Sequence, residues 1–145
     1  MTNCCTKKEC LTCDAVPAAI GPYSVAVSTG SLIFISGQLP LDKETGTLVE
    51  GGIQAQTRQA LKNMKAILES AGSGMQNVVK TTVFLMDMGQ FAEMNAVYAE
   101  FFSGDFPARS AIQVAGLPKG AIVEIEAIAM VPREHEDGQD CCKDK

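Results

Sequence analysis

Arg109 is the residue whose type and setting point most directly to ligand chemistry. It lies in the segment FPARSAIQV, where Pro107 restricts the backbone at the entry to a predicted strand and small neighbours leave room around the guanidinium. A guanidinium on a rigid strand presents a planar set of N–H donors that suits bidentate capture of a carboxylate. The alternative is an internal salt bridge to Glu124 or Asp105, and residue chemistry alone leaves both open.

Two glutamates follow in the apolar segment AIVEIEAIAM. Glu124 and Glu126 are two residues apart, so a regular strand puts them on the same face. Beside a carboxylate-binding arginine, such a glutamate could orient a water molecule and pass its proton to a leaving group. The alternative is that both line a solvated sheet edge or pair with Lys80 or Lys119.

Smaller signals lie elsewhere in the apolar segments. Tyr23 follows Gly21-Pro22 at the start of a predicted strand, where its hydroxyl could touch a ligand. Ser36 and Gly37 end the next strand, and a glycine there lets backbone amides approach a ligand closely. Ordinary packing of the tyrosine and a plain turn explain these features equally well. Asn95 is a further polar residue in apolar surroundings.

The residue inventory also excludes several mechanisms. The single histidine, His135, lies between two glutamates near the C-terminus, so the core offers no histidine base for a serine or cysteine nucleophile and no histidine zinc site. The Gly72-Ser73-Gly74 segment lacks the third glycine and the lysine of a phosphate loop. We therefore predict neither a catalytic metal nor an organic cofactor.

The cysteines lie only near the chain ends. Cys10-x-x-Cys13 resembles half of a metal knuckle, but its spacing relative to the other cysteines is irregular. Reduced thiols are the default interpretation, and metal or redox use is the alternative. The six cysteines are Cys4, Cys5, Cys10, Cys13, Cys141 and Cys142.

Composition predicts one domain. The chain has 145 residues, 46% of them apolar and 20% charged, with a net charge of −5. This acidity disfavours a nucleic-acid partner, and no apolar run approaches the roughly 20 residues of a membrane span. The first ten residues lack a secretory signal, which predicts a cytoplasmic or matrix-like location. We expect a domain at 15–132 between mobile polar tails at 1–14 and 133–145.

Apolar periodicity predicts the element order ββαβαββ, an α+β fold. The first two strands form a hairpin, and Gly72 can end the first helix. The predicted elements are strands at 23–27 and 32–36, a helix around 60–71, a strand at Val78–Leu85, a helix around 91–102, and strands at 110–114 and 122–131.

Two helices can cover only one face of such a sheet. The other face is apolar as well, because Ile128 and Met130 share strand parity with Glu124 and Glu126. A second copy of the chain is the simplest cover for it. The alternative is a sheet that curls to cover itself.

Three segments resemble the YjgF/RidA family of enamine and imine deaminases. They are IGPYS at 20–24, FISGQLP at 34–40 and FPARSAIQVAGLPKGAIVEIEAIA at 106–129, and the last is close to the family signature. The similarity runs from about Ala15 to Val131. It implies a chorismate-mutase-like fold, with two helices on one face of a mixed sheet, that assembles as a homotrimer with ligand clefts between subunits.

The resemblance also implies hydrolysis of reactive 2-imino and 2-enamino acids, such as 2-aminoacrylate and 2-iminobutyrate, to 2-oxo acids and ammonia. It implies that Arg109 binds the substrate carboxylate and that Glu124 positions the attacking water, while Tyr23 and Ser36 line the cleft. We add Gly37 and Asn95 to the predicted binding residues. Many relatives have cysteine where this chain has Ala111, whose backbone could still hold the ligand.

Three other functions stay open at this point. The same cleft could bind small 2-oxo acids without turnover. The chain could instead be a chaperone-like interaction trimer, or have the ribonuclease activity attributed to some relatives. The acidity and the lack of a core histidine count against RNA cleavage.

Overall fold

A six-stranded mixed sheet with two helices packed against one face organises the residues that the computed structural model describes, 7–132. The strand order is β1-β2-β3-β6-β4-β5, and only β4 and β5 run parallel. The elements are β1 (Glu9–Leu11), β2 (Ala26–Ser28), β3 (Leu32–Gln38), α1 (Gly52–Ser70), β4 (Val78–Leu85), α2 (Phe91–Phe101), β5 (Ala108–Gln113) and β6 (Val123–Met130).

Local chemistry explains why the predicted elements form. The β2–β3 hairpin turns at Gly30, whose φ of 88° suits glycine and whose N–H donates to Ser28 Oγ. Gly72 ends α1 with φ 73°, and the next amide, from Ser73, donates to Leu68 O at 2.8 Å. The α+β prediction and the two helices on one face of a mixed sheet are confirmed.

The structure corrects the sequence analysis at the front of the chain. Residues 1–14 were expected to be a mobile tail, but Glu9–Leu11 form strand β1 and pair antiparallel with β2. Three residues are too few to show periodicity, and only Leu11 packs against the core, so the strand depends on backbone pairing. Cys10 on this strand is exposed, and Cys13 is half-buried. The other four cysteines and the predicted tail at 133–145 lie outside the described residues.

The core lies between the helices and the sheet. Strand β6 is central and alternates strictly: Val123, Ile125, Ala127 and Ala129 are buried beneath the helices. Burying a side chain such as Ile125 contributes about 1.5–3 kcal/mol. Neither helix within 7–132 has the length and apolar character needed to cross a lipid bilayer.

The opposite face of the sheet, called here the open face, is uncovered and carries large apolar side chains beside polar ones such as Glu126 and Lys80. Phe34, Ile112 and Met130 are 41%, 47% and 45% exposed, respectively. The sheet therefore does not curl to cover itself within residues 7–132, and the predicted uncovered face is confirmed. Several large apolar side chains exposed on one uncovered sheet face favour an interface there.

Candidate functional site

Arg109 lies on the edge strand β5 and faces the helices. Its register neighbour on β4 is the buried Thr81, which in turn pairs with Ala127 under the helices. Arg109 Nη1 donates to Asn95 Oδ1 on α2 at 2.7 Å. The guanidinium carbon lies 4.7 Å from the centroid of the Tyr98 ring and 5.3 Å from that of Phe91. The guanidinium is thus held by an amide oxygen and two aromatic rings.

The alternative of an internal salt bridge is not seen. Among residues 7–132 the ion pairs are Arg58–Glu100 and Lys65–Glu69, and neither Glu124 nor Asp105 reaches Arg109. Arg109 instead lines a cavity of about 390 Å³, together with Asn95, Tyr98, Ala99, Phe106 and Pro107. Its positive charge therefore lacks a protein counter-ion in this part of the chain, which suits an anionic ligand.

Glu124 lies on β6 and faces the other way. Its register partner on β4 is Phe84, which aligns with the exposed Ile112 of β5, so Glu124 belongs to the open face. Burial raises the pKa of Glu124 above the ordinary value for a glutamate, and the charge of Glu126 on the same face raises it further. A carboxylate with a raised pKa takes up a proton more readily and can later release it.

A β-bulge brings β3 against Glu124. The register between β3 and β6 shifts between Ile35 and Gln38, so one extra residue turns both Ser36 and Gly37 towards the open face. A Cβ atom at Gly37 would lie 2.8 Å from Glu124 Cδ and overlap Oε1. Only glycine leaves room for the Glu124 carboxylate in this position.

Tyr23 and Ser36 complete this side of the molecule. Ser36 Oγ donates to Ser24 O at 2.6 Å, which ties the end of β3 to the segment before β2. The Tyr23 side chain is half-exposed and shares a small cavity with Gly37. Gly37 thus has the Glu124 carboxylate on one side and, on the other, the cavity that Tyr23 shares with Leu41 and Asn63. We call Gly37 and its neighbours Tyr23, Ser36 and Glu124 the Glu124 half-site.

The other predicted residues form a second group, the Arg109 half-site. It contains Arg109, Asn95 and Ala111, which lies two residues along β5 on the same face. Arg109 and Glu124 lie on opposite faces of the sheet, so a single chain does not bring them together.

The sequence analysis assigned Phe91 and Tyr98 to helix packing and missed their contact with Arg109. The signal was present in the spacing: Phe91, Asn95 and Tyr98 stand at i, i+4 and i+7, on one face of α2. A polar Asn95 in that stripe indicated a polar partner on the sheet. No group of three or more His, Cys, Asp or Glu side chains placed to hold a metal ion occurs within residues 7–132.

Comparison with known proteins gives one family. The model described as Endoribonuclease L-PSP matches residues 13–131. A 2-iminobutanoate/2-iminopropanoate deaminase of Mus musculus is 51% identical, over 85% of this chain and 91% of its own length. The chain belongs to this family, the YjgF/RidA family.

Solved structures of similar proteins support the same family assignment. The crystal structure of RidA from a Psychrobacter species matches with a TM-score of 0.82 and 47% identity, covering 85% of this chain and 99% of that one. Escherichia coli TdcF with bound serine matches with a TM-score of 0.81 and 42% identity, covering 84% of this chain and 98% of that one.

Replacing Gly37 with alanine tests the close approach to Glu124. Gly37 has no positive φ, and the atoms that the new Cβ would meet belong to a flexible side chain, so we expect the fold to survive. The Glu124 carboxylate should move outward into solvent, and its pKa should fall towards the ordinary glutamate value. A pH titration of the Glu124 side-chain carboxyl ¹³C signal measures this.

Gly116→Ala is the matched control, because a Cβ there meets nothing within 4 Å. It should leave the Glu124 titration unchanged. An unaltered Glu124 pKa in Gly37→Ala would show that Gly37 does not hold the carboxylate in its buried position.

Proposed function

We propose that this protein is a cytoplasmic homotrimer that hydrolyses reactive 2-imino and 2-enamino acids, such as 2-iminobutyrate and 2-aminoacrylate, to 2-oxo acids and ammonia. Its ligand is a small organic acid, and it needs neither a metal nor an organic cofactor. The observation that carries the proposal is an Arg109 with no counter-ion within residues 7–132, together with a Glu124 of raised pKa, in a chain 51% identical to a 2-iminobutanoate/2-iminopropanoate deaminase.

The placement of the two half-sites supports a site shared between copies. Arg109 faces the helices and Glu124 faces the open face, so each needs the other from a neighbouring chain. The open face is apolar enough to bury, and β5 is an edge strand, which lets a neighbour approach the Arg109 cavity. A closed ring joined by repeated contacts between two different faces gives every copy the same site.

Arg109 would bind the substrate carboxylate. Charge-assisted hydrogen bonds of this kind contribute about 1.5–3 kcal/mol, and the two aromatic rings and Asn95 limit the motion of the guanidinium before the ligand arrives. Tyr23, Ser36, Gly37 and the backbone of Ala111 would line the remaining walls of the cleft.

Glu124 would handle the proton. It accepts one proton from water as the water oxygen bonds to the iminium carbon, and it returns that proton to nitrogen, which makes the amine a leaving group. As the C–N bond breaks, the remaining hydroxyl proton leaves the oxygen that becomes the C=O group and is taken up by the released ammonia. The balance is R–C(=NH₂⁺)–COO⁻ + H₂O → R–CO–COO⁻ + NH₄⁺. Because the iminium carbon is already electrophilic, orientation and placed charge are sufficient for catalysis.

A second candidate is binding of small organic acids without turnover. The observation favouring it is that TdcF, 42% identical, is described with bound serine. Ribonuclease action, which the name Endoribonuclease L-PSP suggests, fits less well, because the chain carries a net charge of −5 and its only histidine is at position 135.

A coupled assay tests the activity. A pyridoxal-dependent threonine or serine dehydratase generates the imine, and release of ammonia or 2-oxo acid is followed above the spontaneous rate. Arg109→Lys should lower kcat/KM by about 10- to 100-fold, because an ammonium cannot replace the bidentate fork. Arg58→Lys, at a surface ion pair with Glu100, is the matched control and should keep the wild-type rate. Binding of 2-oxo acids without acceleration would favour the second candidate.

Mixing two inactive variants tests the shared site. Arg109→Ala and Glu124→Gln should each lose most activity when assembled alone. After unfolding and reassembly of an equal mixture, roughly a quarter of the sites should combine an intact Arg109 with an intact Glu124. Activity should return accordingly. If the reassembled mixture stays as inactive as the separate variants, the site lies within one chain.

The pH dependence tests the role of Glu124. As a base it must be ionised, so kcat should rise with pH through its raised pKa and reach a plateau above it. Glu126→Gln removes the neighbouring charge and should move this limb to lower pH, leaving the part of the shift that burial causes.

Glu44→Gln changes the net charge equally at an exposed turn and should leave the pH profile in place. If the pH profile of kcat in Glu126→Gln coincides with that of the wild type, titration of Glu124 is not the cause of the rise in kcat with pH.

A further inference from the structure

We infer that Tyr98, anchored by Thr81, is a positioning residue that fixes the guanidinium of Arg109 for carboxylate binding. The inference rests on the proposed function and deepens it. It assigns part of the ligand affinity to a hydroxyl pair buried behind the arginine.

Tyr98 is held on three sides. Its hydroxyl lies 2.7 Å from Thr81 Oγ1, and both residues are buried, with exposures of 4% and 0%. Its ring packs against Phe102 with centroids 4.6 Å apart. Arg109 lies over the ring at 4.7 Å. The ring is therefore fixed by its own contacts.

The sheet makes this anchor relevant to Arg109 in particular. Thr81 and Arg109 are register partners on the parallel strands β4 and β5, so they stand side by side under α2. The Tyr98 side chain extends from α2 towards the sheet, forms a hydrogen bond with Thr81 and packs its ring against the neighbouring Arg109. Helix position and strand register thus set where the guanidinium lies relative to the Tyr98 ring.

Asn95 restrains the Arg109 guanidinium further. Its Oδ1 accepts from Arg109 Nη1 at 2.7 Å, one turn of α2 before Tyr98. With one nitrogen engaged and the Tyr98 ring against it, the guanidinium keeps its other N–H groups for the adjoining cavity. Burial raises the pKa of Tyr98, so the phenol stays neutral and Arg109 meets a ring and not a phenolate.

This arrangement lowers the entropy cost of binding. A free arginine side chain loses many rotamers when it grips a carboxylate, whereas one already stacked and hydrogen-bonded loses few. Weakening the stack should raise the dissociation constant for carboxylates and leave the chemical step almost unchanged.

Two variants separate positioning from folding. Tyr98→Leu removes the ring. The double variant Tyr98→Phe/Thr81→Val keeps the ring and removes both hydroxyls, so no buried polar atom is left unpaired and the fold should survive. Met94→Leu is the control, since Met94 is fully buried on the same helix and the change conserves volume.

The first measurement is ¹⁵N relaxation of the arginine Nε–H groups in the full-length protein. The chain has three arginines, Arg58, Arg109 and Arg133, and Arg109→Lys identifies the signal. We expect the order parameter of the Arg109 Nε–H group to be highest in wild type and Met94→Leu, lowest in Tyr98→Leu, and between these in the double variant.

The second measurement is the dissociation constant for 2-oxobutanoate, together with KM and kcat in the coupled assay. KM and the dissociation constant should rise about 5- to 10-fold in Tyr98→Leu and about 3-fold in the double variant, with kcat changed less than about 2-fold. The single variant Thr81→Ser keeps the hydroxyl, so its KM, kcat and dissociation constant should match those of the wild type.

The outcomes separate the two proposals. If the wild-type protein does not accelerate imine hydrolysis above the spontaneous rate, the proposed function is overturned. The relaxation data still decide whether Tyr98 fixes Arg109. If the wild type is active, and both variants keep its Arg109 order parameter and its affinity for 2-oxobutanoate, the role of Tyr98 alone is overturned.

Discussion

Side-chain alternation along β6 is the constraint on which the rest of this structure depends. Val123 and Ile125 must be buried beneath the helices, so Glu124 must point to the other face. The same alternation on β5 turns Arg109 towards the helices. The carboxylate-binding guanidinium and the proton-accepting carboxylate that the proposal brings to one ligand are thereby placed on opposite faces of the sheet, and oligomerisation becomes part of the proposed chemistry.

The open face follows from the same constraint. Two helices cover one side of a six-stranded sheet, and the residues that alternate away from the core include Phe34, Ile112 and Met130. Their exposure would be costly in an isolated chain. In the proposed trimer, an interface that buries this face would place the Glu124 half-site beside another copy, so stabilisation and the proposed chemistry would use the same surface.

Small departures from regular structure prepare the two half-sites. The bulge in β3 and the missing side chain at Gly37 let a carboxylate pack against backbone and lose water, which is the main reason for the raised pKa of Glu124. At the other half-site, Asn95 and Tyr98 restrain Arg109. In both, the charged group is held by neighbouring residues of the same chain, and the proposed catalysis would use this preorganisation.

The sequence by itself predicted most of the elements and singled out the candidate chemical groups. The spacing of apolar residues predicted both helices, the hairpin and the bounds of β4, and the residue types singled out Arg109 and Glu124, because periodicity and functional-group chemistry are local properties. Only the tertiary structure decided that β1 exists, that Arg109 and Glu124 occupy opposite faces, and that Thr81 anchors Tyr98 behind the guanidinium. Those facts depend on strand register and on which residues distant in the chain become neighbours. A local sequence pattern contains neither kind of information.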